Sequence, residues 1–250
     1  MRAAAAKKTR PPLLPDHAAL YLDFDGTLAH IAPHPDAVEI PRELPALLLA
    51  LRTRLGGALA VITGRALDSV DRLLRPLVLP GAGQHGAELR GHGEDIRPQV
   101  SRPEALARLA AELSRRYSGN DGVWVEDKGA AVALHYRQAP GRAGECVEAM
   151  LGLAGAADLD VVRGRMVIEA RPRGIHKGRA LEGLMAQPPF AGRVPVFIGD
   201  DVTDEDGFAF VVSRGGFGVK VGAGETLARY RCADVDAVHD WLRASLAALA

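Results

Sequence analysis

The run Ala-Ala-Leu-Tyr-Leu at 18–22 carries no charge and stops at two carboxylates, Asp23 and Asp25, followed at once by Gly26 and Thr27. A short continuous apolar run fits a strand buried on both faces, which is the mark of a parallel sheet covered by helices. The pattern recurs. Residues 58–62, Ala-Leu-Ala-Val-Ile, close on Thr63-Gly64-Arg65, and Val-Pro-Val-Phe-Ile-Gly at 194–199 closes on Asp200-Asp201. Between these runs the apolar spacing turns helical: Leu44, Leu47, Leu48, Leu51 and Leu55 follow Pro41, and Val70, Leu73 and Leu74 follow Arg65. Strand, helix, strand, helix, strand predicts an α/β fold with a parallel sheet.

The middle of the chain loses that rhythm. An amphipathic helix is expected over 102–117 and another over 142–152. Two hairpins are expected, one turning at Lys128-Gly129 and one at Arg163-Gly164-Arg165. This reads as a separate α+β unit inserted at about 87–171. The core is then 17–86 plus 172–250, completed by helices over 176–186 and 236–249 and by the strand Phe-Gly-Val-Lys-Val-Gly. Residues 1–16 read as a flexible tail.

Charge and length narrow the function. Lys plus Arg number 31 and so do Asp plus Glu, giving a formal net charge of zero over 250 residues. A chain so balanced has no broad electrostatic grip on nucleic acid or an anionic membrane. Cys146 and Cys232 lack metal-type spacing and read as reduced thiols. No apolar run is long enough for a signal-peptide core or a bilayer span. The expectation is a cytoplasmic monomer acting on a small molecule.

Ligands of open α/β sheets bind at the carboxyl ends of the strands. The polar residues falling there are Asp23, Asp25, Thr63, Arg65, Asp200, Asp201 and Asp204, with Lys177 at the start of a helix. Two like charges about 4 Å apart repel by roughly 4 kcal/mol at an effective dielectric near 20. The acids therefore call for a counter-charge, and hard oxygen donors without His or Cys point to Mg²⁺. A cation, Lys177 and helix N-termini at one edge would trap an anion, most plausibly phosphate. Within that trap one acid can attack phosphorus while the other handles protons.

The motifs Asp-Phe-Asp-Gly-Thr, Val-Ile-Thr-Gly-Arg, Gly-Ile-His-Lys-Gly and Gly-Asp-Asp-Val-Thr-Asp-Glu-Asp, in that order, resemble those of the haloacid dehalogenase superfamily. The resemblance implies a Rossmann-like core with a C2-type cap, Asp23 as nucleophile and Asp25 as general acid/base. It also implies phosphate contacts from Thr63 and Lys177, and Mg²⁺ ligation by Asp23, the Asp25 carbonyl and Asp200, supported by Asp204 and Asp201. The finer match is to trehalose-6-phosphate phosphatases, through Gly-Gln-His-Gly-Ala-Glu (83–88), Val-Glu-Asp-Lys-Gly-Ala-Ala-Val-Ala-Leu-His-Tyr-Arg (125–137), Val-Ile-Glu-Ala-Arg-Pro-Arg-Gly-Ile-His-Lys-Gly (167–178) and Phe-Ile-Gly-Asp-Asp-Val-Thr-Asp-Glu-Asp-Gly-Phe (197–208). It implies that the inserted unit closes over a sugar and that Glu126, Lys128 and Glu169 contact the glucose remote from phosphate.

Independent of the resemblance, Glu126 and Lys128 are two apart and share a strand face, which a plain surface ion pair would equally explain. Glu169 follows the apolar run Met166-Val167-Ile168, where an unpaired charge is expensive. Arg65 could bind phosphate or pin the cap. His85, Glu88, His135, Arg137 and Lys220 lie near these positions with roles left open. His30 and His34, beside Pro33 and Pro35, read as solvated, and Trp124 and Trp241 as core. Rival readings are a phosphatase for sucrose phosphate or a hexose phosphate, a phosphomutase, and an inactive sugar-phosphate-binding module. The last is disfavoured by the retention of Asp23, Asp25 and Lys177.

Overall fold

A computed structural model of the protein describes residues 10–32, 34, 37–93, 95–119, 122–155, 158–164 and 166–249. In chain order the elements are β1 (Ala18–Leu22), α1 (Leu44–Arg54), β2 (Leu59–Ile62), α2 (Leu67–Leu74), β3 (Gly81–Gly83), β4 (Glu88–Arg90), β5 (Arg97–Pro98) and α3 (Glu104–Arg116). Then come β6 (Trp124–Asp127), β7 (Val132–His135), α4 (Ala143–Ala154), β8 (Leu159–Gly164), β9 (Val167–Pro172) and α5 (Lys177–Met185). The chain ends with β10 (Val194–Gly199), α6 (Glu205–Ser213), β11 (Phe217–Val221), β12 (Tyr230–Cys232) and α7 (Val235–Ala248).

The strands form two sheets. The larger has the order β12-β11-β10-β1-β2-β3-β4-β5, and the smaller β6-β7-β9-β8. In the larger sheet all pairings from β12 to β3 are parallel, while β4 and β5 run antiparallel. The expected α/β core is present, and all pairings in the smaller sheet are antiparallel.

β1 shows why the large sheet is buried on both faces. Leu20 and Leu22 point to one side, among Leu48, Leu51, Val196, Ile198, Trp241 and Leu242. Ala19 and Tyr21 point to the other, among Leu181, Phe197, Phe208 and Val211. Alternating side chains thus feed two separate cores. The smaller unit has its own core, with Leu106, Leu109 and Leu113 of α3 and Cys146 and Met150 of α4 against Val132, Leu134, Ile168 and Ala170.

Register then places the site. Leu22 lies opposite both Ile198 and Val61. The Asp23 N–H continues the ladder by donating to the Ile198 carbonyl at 2.9 Å. The polar residues that follow β1, β2 and β10 therefore leave the sheet at one level.

Three expectations need correction. The expected tail is bound from residue 11 on: Leu14 is buried, its N–H donates to Ser245 Oγ at 3.3 Å, and Trp241 Nε1 donates to the Pro12 carbonyl at 2.9 Å. Residues 1–9 lie outside the described residues, as do Pro33, Pro35 and Arg165 of the expected loop and turn. Residues 88–98, expected in the inserted unit, supply β4 and β5 to the large sheet. Trp241 is core, but Trp124 is half-buried and stacks on His135 with ring centroids 4.0 Å apart. His34 is exposed, as expected, yet it sits 2.9 Å from Gln138 with its ring 5.9 Å from that of Trp124, so a core loop touches the smaller unit.

Docking of the N-terminal segment is open to test. Leu14→Ala removes a buried side chain and should lower stability by about 2 kcal/mol in urea unfolding. A change indistinguishable from zero would show that residues 11–14 do not hold α7.

Candidate active site

The site starts at a turn. After β1 the chain reverses at Phe24, whose carbonyl accepts N–H bonds from Leu28 (2.8 Å) and Ala29 (2.9 Å). Gly26 makes this possible with φ +80, a conformation that side chains disfavour. It is also pressed against Asp200: a Cβ there would lie 2.2 Å from Asp200 Oδ2. Glycine at 26 thus lets two carboxylate-bearing loops close on each other.

Asp23, Asp200 and Asp204 gather with oxygens within 4.8 Å of one another. Lys177, the first residue of α5, is 2% exposed and donates to Asp23 Oδ1 and Asp204 Oδ1, both at 2.6 Å. Thr27 Oγ1 donates to Asp23 Oδ2 at 3.2 Å. The other oxygen of Asp204 accepts the Asp201 N–H at 2.9 Å, half of a capping box over the short 3₁₀ turn at 202–204. Both oxygens of Asp204 are thereby engaged. Lys220 donates to the Asp200 carbonyl. Asp201 lies outside the three-acid group and instead meets the smaller unit, where a Cβ at Gly164 would come 3.1 Å from Asp201 Oδ2.

The electrostatics follow from this crowding. Burial pushes the Asp23 carboxyl well above its usual range; Lys177 opposes, while Asp204 and Asp200 add repulsion. Burial, with Asp204 and Asp201, lifts Asp200 to about 7. Burial alone would lower Lys177, but Asp204 and Asp23 outweigh it and hold the ammonium above its ordinary value. The acids outnumber the cations, so hard oxygen donors with residual negative charge fit a divalent cation.

Asp25 has different surroundings. Arg65 grips it with two bonds, Nε to Oδ2 at 2.6 Å and Nη2 to Oδ1 at 2.8 Å. The Arg65 N–H also donates to Thr63 Oγ1 at 3.1 Å, and its guanidinium lies 5.7 Å from the Phe24 ring centre. Arg65, expected to bind phosphate or the cap, pairs with Asp25.

The smaller sheet closes the cleft from above. Lys128 Nζ donates to Glu169 Oε2 at 2.7 Å and stands 3.9 Å from Glu126. Glu126 lies 2.8 Å from His135 Nε2. Burial alone would raise Glu169, yet Lys128 outweighs it and holds that carboxyl at about 2. His85 Nε2 is 3.3 Å from Glu169 Oε1, and burial drives its imidazole down to about 3, so it is neutral at pH 7. One continuous cleft is lined at its floor by Asp23, Asp25, Thr63, Arg65, Lys177, Asp200 and Asp201. At its roof it is lined by Glu126, Lys128, His135, Arg137 and Glu169, with His85 between. Every residue expected from sequence at the site borders this cleft except Asp204, which sits beneath it holding Lys177. Of the residues whose roles were left open, His85, His135 and Arg137 line the cleft, while Lys220 and Glu88 act behind it.

A trehalose-phosphatase family model matches residues 21–236. The chain belongs to the trehalose-phosphatase family. Among members of that family, the trehalose-6-phosphate phosphatase of Escherichia coli (strain K12) is 42% identical over 96% of this chain and 91% of its own. A probable trehalose-phosphate phosphatase of Sinorhizobium fredii is 47% identical over 83% of this chain and 78% of its own. The C-terminal domain of the C. albicans trehalose-6-phosphate phosphatase shares the fold at a TM-score of 0.85 and 21% identity, covering 94% of both chains. Among the described residues, no helix is long and apolar enough to cross a membrane. The three-acid group provides this trehalose-phosphatase family member with a place for a metal ion.

His85 generates a pH prediction. Below about 6.5, the ordinary value for an imidazole, the unfolded His85 takes up a proton that the folded one refuses down to about 3. Stability should therefore fall as pH drops from 6.5, by about 1.4 kcal/mol per unit from this group. His85→Gln should flatten the pH 7-to-5 dependence of the urea midpoint. An equal slope in both proteins would refute the buried neutral imidazole.

Proposed function

We propose that this chain hydrolyses trehalose 6-phosphate to trehalose and inorganic phosphate, the last step in making trehalose. The observation that carries the reading is the single cleft with an acid–lysine floor and a carboxylate–lysine roof. The floor suits a phosphate and the roof suits neutral hydroxyls, which carboxylates accept from and ammonium groups donate to. The names of the relatives point the same way.

In this mechanism an Asp23 carboxylate oxygen attacks phosphorus and the bond from phosphorus to the sugar oxygen breaks. Asp25 delivers a proton to the departing oxygen. Water then attacks the phosphorus of the aspartyl phosphate, Asp25 takes its proton, and phosphate leaves with Asp23 restored. Thr63 and Lys177 hold phosphate oxygens. Asp25 has both oxygens on Arg65, so substrate must displace one of those bonds before the proton can move. Asp23, the Asp25 carbonyl and Asp200 would hold Mg²⁺, with Asp204 and Asp201 behind them. The ion would offset the charge that accumulates on the phosphoryl oxygens.

We read residues 99–172 as the cap, with α3 and α4 behind its sheet, and Glu126, Lys128 and Glu169 as its sugar contacts. Every residue this reaction needs comes from one chain, so a monomer suffices. The free buried thiols Cys146 and Cys232 suit a reducing compartment such as the cytoplasm.

Phosphate release from trehalose 6-phosphate should require Mg²⁺ and stop on chelation. Asp23→Asn should abolish it, with a loss of at least about 10³-fold. Glu126→Gln and Glu169→Gln should raise KM for trehalose 6-phosphate while leaving a small aryl phosphate unaffected. A phosphate-ester panel on which sucrose phosphate or a hexose phosphate outran trehalose 6-phosphate would overturn the substrate assignment.

A further inference from the structure

The segment joining β3 to β4 touches both halves of the cleft. Gln84 and His85 have φ of 48 and 58, the left-handed region that side chains avoid. Two backbone bonds onto the loop after β2 hold them there: Gln84 N–H to the Arg65 carbonyl at 2.8 Å, and His85 N–H to the Thr63 carbonyl at 2.9 Å. The 83–85 segment is thus fastened to the loop carrying Thr63 and Arg65.

The Gln84 side chain is buried and spans to the other unit. Its Oε1 accepts the Ala130 N–H at 2.9 Å. Ala130 lies in the turn between β6 and β7, which Lys128 N–H closes by donating to the Ala131 carbonyl at 2.9 Å. Gln84 Nε2 donates to Glu88 Oε1. Glu88 Oε2 accepts the Leu67 N–H at 3.0 Å. Leu67 begins α2, whose N-cap, Ala66, has no side-chain oxygen to offer. Glu88 supplies that bond from a neighbouring strand. At Gly83 a Cβ would come 2.6 Å from Glu88 Oε2, so the close approach needs glycine.

These contacts form an unbroken chain: Leu67 N–H to Glu88, Gln84 to Glu88, Ala130 N–H to Gln84. We propose that Gln84 and Glu88 are positioning residues that key the Lys128-bearing turn of the smaller unit to the phosphate-side loop of the core. Both ends of the cleft then share one register, and Lys128 meets its ligand at a fixed distance from Thr63. The importance of Lys128 for sugar binding rests on the proposed function; the relay itself rests on the bonds.

Donor and acceptor counting gives a sharp test. The relay has backbone donors at both ends, so its two side chains must contribute one amide donor between them. Gln84→Glu leaves two carboxylates facing each other. Glu88→Gln forces one amide donor against another donor. The double variant Gln84→Glu/Glu88→Gln restores all three bonds, with only the central side-chain bond reversed and both backbone N–H groups still donating. Each variant keeps a Cβ at position 84, so the left-handed backbone is equally strained in all.

Each single variant should raise KM for trehalose 6-phosphate about three- to tenfold, the size of one hydrogen bond. Turnover of p-nitrophenyl phosphate, which has no second sugar for the roof, should hold its wild-type value. The Ala130 amide should exchange with solvent faster in both singles. The double variant should recover KM and amide protection together. The relay is overturned if the double is no better than the worse single, if both substrates lose equally, or if Ala130 exchange never changes. Should the wild type fail to cleave trehalose 6-phosphate, the functional reading falls by itself, and Ala130 exchange across the four proteins still decides the relay.

Discussion

The ammonium of Lys177 is the pivot of the molecule. It is all but excluded from water and shared between Asp23 at the end of β1 and Asp204 beyond β10. A buried carboxylate stripped of its cation costs several kcal/mol, so neither acid could occupy its place without this lysine. The bond links residues 154 apart and ties the start of α5 to two central strands. The parallel sheet sets its length: β1 and β10 run in register, so their polar ends finish level and one ammonium reaches both. The fold and the reactive floor are thus parts of one arrangement.

Charge is balanced differently at the two ends of the cleft. At the roof Lys128 sits between two carboxylates, and Glu169 is held firmly ionised. At the floor three acids crowd around Lys177, and both Asp23 and Asp200 bind protons more readily than an ordinary aspartate. A settled roof can read hydroxyl groups without changing protonation. An unsettled floor gains most from a cation and an anion arriving together. This gradient matches a ligand that is charged at one end and neutral at the other.

The sequence made the floor legible because each buried strand is a run of apolar residues and its end is an abrupt change to acids. Asp23, Thr63 and Asp200 could be placed together from that alone, since parallel strands deliver their carboxyl ends to one edge; Lys177, at the start of a helix, was drawn in as their counter-charge. Elements lacking such contrast were illegible. β4 and β5 are three and two residues long, and β12 is three. The N-terminal segment docks through one leucine and backbone bonds, which leave no periodic trace. Trp124 could not be told from Trp241, because stacking on a histidine eleven residues further along depends on hairpin register. The Asp25–Arg65 pair and the Gln84 relay are likewise tertiary. Two of the relay's three acceptors serve backbone N–H groups, which every residue but proline carries, so no residue pattern announces it.

The two acids flanking Phe24 end in opposite conditions although they leave the same strand. Asp23 is buried and held by Lys177, while Asp25 is partly open to the cleft and held by Arg65. A nucleophile benefits from fixed geometry and exclusion of water. A group that moves protons must release its partner and touch both substrate and solvent. Under the proposed mechanism Gly26 serves both demands. Its left-handed φ turns the chain directly after Asp25, and its missing side chain leaves room for Asp200. Any larger residue would push Asp200 off the three-acid group and reopen the turn that separates the two carboxylates. The smallest residue in the motif therefore sets the different surroundings of its two acids.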